Sequence, residues 1–123
     1  MKEEFCTYEI SLKLKELGFD KDCLAFFNTD GKFFIGMKST VDGIPPIKNS
    51  QIPEDWGIFT APLWQQAIDW FREKCDIIID VAKIYNGTDN YHFALNLKWE
   101  YFEGTYPEAR EAAILKAINI VSM

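Results

Sequence analysis

Few side chains in this chain could do covalent or acid–base chemistry, and their spacing narrows what that chemistry could be. His92 is the single histidine. Asp76 and Asp80 are four residues apart around an isoleucine run, so on a strand they would share one side with Ile78 and Ala82. Two carboxylates so placed can hold a divalent metal or divide acid and base roles in glycoside hydrolysis. With His92 they make up the one enzymatic reading, a small metal-assisted hydrolase. Strand-end aspartates on a wetted surface are the simpler use of the same residues, and His92, alternating with Ala94 and Asn96, falls on the side expected to be wetter.

Other chemistries lack their parts. No local Ser-His-Asp or Cys-His arrangement is written, so a hydrolase triad is not expected. Cys6, Cys23 and Cys75 are odd in number and widely spaced, with no CxxC. They read as small apolar residues. A zinc site with one histidine would require all of them to converge. The seven glycines stand apart at turns and form no phosphate loop. The expectation is therefore no catalytic residue, no metal and no cofactor.

Composition sets the frame for these residues. A chain of 123 residues, 48% apolar and 26% charged, suits one domain with a single core, residues 1–123. Ten Phe, five Tyr and four Trp are the unusual feature. A net charge of −6, with no basic cluster, argues against direct nucleic-acid binding. An acidic inhibitor of a DNA-binding protein is an alternative, although Lys13, Lys15, Glu16, Asp20, Lys21 and Asp22 mix both signs as an ordinary solvated face does. The opening residues turn charged at once, and no apolar run approaches the ~20 residues of a membrane span. A cytoplasmic protein without membrane contact is expected.

The elements that must position these groups are marked by their ends. In "TYPEAREAAILKAINIV", Thr105 and Glu108 form a capping box and Pro107 fits the first turn. Tyr106, Ala109, Ala113, Ala117, Ile120 and Val121 then follow helical spacing. In "TAPLWQQAIDWFREKC", Thr60 could cap, Pro62 fits the first turn, and Phe59 with Trp64 could form a hydrophobic staple. Trp70 falls at the border of that helix's apolar face. Near the start, Thr7 caps a helix of about residues 8–17, and Gly18 ends it with a Leu14–Phe19 contact.

Between helices the period falls to two. Asp30 and Gly31 join two aromatic runs into a hairpin. A second hairpin joins the isoleucine run through "NGTDN" to "YHFALNLKWEYF", where Tyr91, Phe93, Leu95, Leu97, Trp99 and Tyr101 alternate with more polar residues. The order αββαββα predicts an α+β two-layer sandwich: a four-stranded antiparallel sheet from two hairpins, with three helices.

Two features remain for function. Residues 42–58 form a long proline-rich loop holding Trp56, which either pins the loop by packing or anchors a partner. On the central helix, Gln65, Gln66 and Asp69 are left without a packing role, as a polar contact ridge or a plain solvated face.

The blocks "SLKLKELGFDKDCLAFF", "TAPLWQQAIDWFREKCDI" and "TYPEAREAAILKAI" resemble a family of small proteins encoded by phages and prophages of Bacteroidetes. The likeness covers most of the chain and departs at Cys75, where the family has an aromatic residue or glycine. The resemblance implies origin in a bacterial host cell and no particular activity. The reading preferred is a non-enzymatic interaction module that binds a protein partner, or a second copy of itself, through Trp56, Gln65, Gln66 and Asp69.

Overall fold

The computed structural model describes residues 2–36, 46–83 and 89–122. Among the described residues it has three α-helices and two three-stranded antiparallel sheets, an α+β fold. The chain divides into two compact units, Met1–Ala67 and Ile68–Met123.

In the first unit, helix α1 (Tyr8–Glu16) begins where Thr7 accepts a hydrogen bond from the Ile10 N–H at 3.3 Å. It ends as a Schellman motif, with Gly18 at φ 97° and the Phe19 N–H donating to the Leu14 carbonyl at 2.8 Å. Strands β1 (Ala25–Asn28) and β2 (Phe33–Ile35) form the expected hairpin. Its turn is organised by Asn28, whose Oδ1 accepts from the Asp30 and Lys32 N–H groups, both at 2.9 Å. A third strand, β3 (Ile58–Thr60), pairs with the other edge of β1, giving the order β2-β1-β3. Phe5, Phe27 and Phe59 form the buried core of this unit, flanked by Tyr8 and Phe33. Ring centroids lie 5.3 Å apart for Phe27–Phe33 and 5.4 Å apart for Tyr8–Phe59. Here the surplus of aromatic residues is core.

Helix α2 runs from Trp64 to Cys75, and α3 from Tyr106 to Ser122. In the second unit α3 lies against β4 (Ile79–Ala82) and β5 (His92–Leu95), and β6 (Lys98–Glu100) completes the order β4-β5-β6. The Thr105 and Glu108 capping box forms as read: the Thr105 N–H donates to Glu108 Oε1 at 2.9 Å, and the Glu108 N–H donates to Thr105 Oγ1 at 3.3 Å. The Thr105 N–H, and the Thr105 hydroxyl that also donates to Oε1 at 3.0 Å, hold the Glu108 carboxyl below its ordinary pKa. The helix buries Ala109, Ala113, Ile114, Ala117 and Ile118, whereas Ile120, expected on this stripe, is exposed.

The single four-stranded sheet is replaced by two sheets, for two reasons. First, residues 58–60, expected to lead into a capped helix, are extended because their backbone is already engaged: Phe26 and Thr60 pair across β1 and β3, the Ala61 N–H donates to the Ala25 carbonyl, and the Cys6 N–H donates to the Pro62 carbonyl at 2.7 Å. The helix therefore starts at Trp64, so Phe59 and Trp64 do not hold the flanking positions of a hydrophobic staple. Phe59 joins the aromatic core, and the Trp64 indole N–H donates to the Glu3 carbonyl at 2.8 Å. Secondly, the long alternating run breaks at Asn96 and Leu97, whose φ values of 52° and 69° make a two-residue hairpin turn. The Asn96 side chain anchors the turn, accepting from the Ile78 N–H at 2.8 Å. The Asn86-Gly87-Thr88 turn and residues 42–45 of the long loop lie outside the described residues.

Candidate functional site

The first unit holds Trp56, and its surroundings are built from short-range geometry. Pro53, with φ −60°, opens the 3-10 turn Glu54–Trp56, and Gly57 closes it at φ 63°, a left-handed value that glycine adopts without a Cβ clash. A second 3-10 turn, Asn49–Gln51, precedes it. These turns are braced to the body by side chains. Asn49 Nδ2 donates to the Phe19 carbonyl at 3.0 Å, and Asn49 Oδ1 accepts from the Thr60 N–H at 2.9 Å. The Ser50 N–H donates to Asp20 Oδ1 at 2.8 Å. With the loop held in this way, Trp56 has no need to pin it, and 56% of its surface is exposed. Beside these turns lies a cleft of about 320 Å³ with Lys15 from α1 and Glu54 among its walls and an apolar lining of Ile52, Pro53 and Ile58.

The glutamine pair divides. Gln66 is committed to structure: its Oε1 accepts from the Leu63 N–H at 2.9 Å and its Nε2 donates to the Asp22 carbonyl at 2.8 Å. The first helical bond of α2 runs from the Ala67 N–H to the Leu63 carbonyl, so Leu63 is the cap residue and Gln66 supplies the reciprocal half of a capping box. A glutamine three residues after the cap was the available signal, hidden because the cap residue is leucine. Gln65 is exposed. Asp69, in the second unit, stands 3.4 Å from Arg72 in a surface i,i+3 ion pair.

Close to Gln66, the Cys23 thiol is almost wholly buried and donates to the Lys21 carbonyl at 3.4 Å. Burial pushes its pKa up to about 12, opposed by the Thr60 hydroxyl and reinforced by the charge of Asp22. Such a thiol stays protonated at neutral pH and is inert as a nucleophile.

The second unit holds the residues of the enzymatic reading: Asp80 pairs with Ala94 and so shares a sheet face with His92, whereas Asp76 lies off the strands. Asp76 is not on a strand: it follows the last residue of α2 with φ 55°, while β4 begins three residues later. The four-residue spacing therefore does not put Asp76 and Asp80 on one strand face. His92, expected to be wet, is 0% exposed. Its Nδ1 accepts from the Phe102 N–H at 3.0 Å, and its ring meets that of Tyr101 at 5.1 Å. Strand pairing accounts for the reversal. Because the chain turns at Asn96 and Leu97, Trp99 pairs with Ala94 and lies on the face of Ala94 and His92, not on that of Phe93 and Leu95. Ala94 is buried there, whereas Trp99, Leu97 and Tyr101, expected inside, are exposed at 40%, 76% and 67%. Among the described residues no three His, Cys, Asp or Glu side chains gather as metal ligands, and no helix is long and apolar enough to cross a membrane.

Comparison of the chain with protein-family models, with curated proteins and with solved structures finds no match.

Proposed function

We propose that this chain is a small non-enzymatic interaction module, a phage or prophage accessory protein, that engages a protein partner through Trp56. The observation that carries this reading is a tryptophan more than half exposed on a loop that other side chains already brace. A loop held in place before binding loses little backbone entropy when its ring docks, and large rings dominate the energetics of protein interfaces. Gln65, exposed on α2, is the second residue assigned to the contact, whereas Gln66 serves the start of the helix. Asp69 can contribute only by exchanging its contact with Arg72. The block "APLWQQ…WFREK" supports a phage or prophage origin and a bacterial cytoplasmic setting. A second copy of the chain is the other partner that an exposed ring could serve.

Light scattering on the purified protein, followed by its use as bait in host lysate, tests this directly. The expected result is a dimer or a co-purifying protein that is lost when Trp56→Ser is used, with the circular dichroism spectrum unchanged. Retention of the same partner by the Trp56→Ser, Gln65→Ala double variant would overturn the assignment. Salt separates the reading from that of an acidic inhibitor of a DNA-binding protein. An interface centred on an aromatic ring holds as ionic strength rises, whereas a charge-steered one weakens steeply.

A further inference from the structure

We propose that the cleft beside the two 3-10 turns of the first unit binds a small zwitterion bearing an ammonium group, a carboxylate and an apolar side chain, namely a free amino acid or a dipeptide. Its volume, about 320 Å³, lies within the range of about 300–1,000 Å³ typical of small-molecule sites. Two groups of opposite charge, Lys15 and Glu54, line it. Among the described residues neither side chain makes an ion pair or hydrogen bond, with each other or with a third group, and the Lys15 ammonium lies 5.8 Å from the centre of the Phe59 ring. Opposite charges that share a cleft without pairing are matched by one ligand that carries both signs. Ile52, Pro53 and Ile58 offer the apolar surface for the side chain.

The walls are preformed. Both polar ends of the Asn49 amide are used in bracing the loop, and the Ser50 backbone is fixed to Asp20. The Ser50 hydroxyl, which makes no hydrogen bond among the described residues, is left to meet the ligand. A wall that does not have to reorganise lowers the cost of binding a small molecule. This site does not depend on Trp56 engaging a partner, so either assignment can fail alone.

The test is a titration of the full chain followed by two-dimensional amide NMR, with L-leucine, leucyl-leucine, N-acetylleucine and leucinamide as probes. Saturable shifts at Ser50, Ile52 and Ile58 with a Kd of about 1 mM are expected for leucine or leucyl-leucine. The tighter of these two identifies the amino acid or the dipeptide as the source. Lys15→Gln should weaken leucine and N-acetylleucine roughly fivefold and leave leucinamide unchanged, as expected for the loss of one exposed ion pair. Glu54→Gln should weaken leucine and leucinamide and leave N-acetylleucine unchanged. Both side chains are exposed, so neither variant threatens the fold. The absence of saturable shifts for both zwitterions at about ten times that concentration would overturn the proposal. Equal weakening of all probes by either variant would do the same.

Discussion

Both units bury aromatic rings, and the second leaves more of them exposed. In the first, Phe5, Phe27 and Phe59 make the core and a single ring, Trp56, stands out on a braced loop. In the second, Trp70, Phe71 and Phe93 are buried along with the alanines and isoleucines that α3 buries, His92 is fully buried, and Trp99 and Tyr101 are exposed. Ring count therefore does not identify a binding surface. A ring at the surface is informative where its neighbourhood is held by something other than the ring itself, as Asn49 and Ser50 hold the loop of Trp56.

The sharpest way to break this comparison is to remove one ring from each unit. Phe27→Ala deletes a fully buried ring in contact with Phe33, Phe59 and Tyr8 and should cost about 3–5 kcal/mol. Trp99→Ala, on a part-exposed side chain, should cost much less. Urea midpoints at pH 7 compare the two, and equal losses would mean that the exposed rings of the second unit carry as much of the fold.

Alkaline pH gives the next largest effect. The Cys23 thiol titrates near 9 when unfolded and near 12 when folded. Its raised pKa leaves stability intact below pH 9. Between pH 9 and 12 the unfolded chain releases a proton that the folded chain keeps, and stability falls by up to about 1.4 kcal/mol per pH unit. Cys23→Ala should flatten this alkaline limb. Cys75, partly exposed and raised first by burial and then by the charge of Asp76, should contribute less when replaced in the same way. A limb that persists in Cys23→Ala would assign it to other groups.

The helix starts offer a finer contrast. Gln66→Ala removes the acceptor for the Leu63 N–H and the donor to the Asp22 carbonyl, a loss of about 1–2 kcal/mol. Glu108→Ala at the exposed cap of α3 should cost less, and its effect should shrink as pH falls through the carboxylate range, because the folded pKa is lowered and the cap is stabilising only while Glu108 is charged. Thermal melts at pH 7 and in acid check both.

The smallest contrast is between turns. Gly31 takes φ 84° in the first hairpin, whereas Leu97 takes φ 69° in the third, where an L side chain is strained. Gly31→Ala should destabilise and Leu97→Gly should stabilise, each by about 1 kcal/mol. A destabilised Leu97→Gly would give the exposed leucine a packing role.

Much of this fold was written locally. Thr7, Gly18, Asp30, Gly31, Thr105 and Glu108 act on neighbours within about five residues, so the ends of α1 and α3 and the first hairpin could be read without knowing what packs where. The candidate site was legible only in part: Trp56 stood out by residue type, but its exposure did not. Lys15 and Glu54 carried no pattern at all, because nothing within a few residues of either marks a shared cleft.

The sequence by itself determined the caps of α1 and α3 and the first turn, since each depends on hydrogen bonds between near neighbours, and the α+β class followed from them and the strand periodicity. Tertiary structure alone decided that residues 58–60 are a strand, that His92 is buried and Trp99 exposed, and that Gln66 caps a helix. Those outcomes turn on which strand claims a backbone N–H and on which face of a turned strand is covered. Both are settled by partners distant in sequence, with energies larger than local propensity.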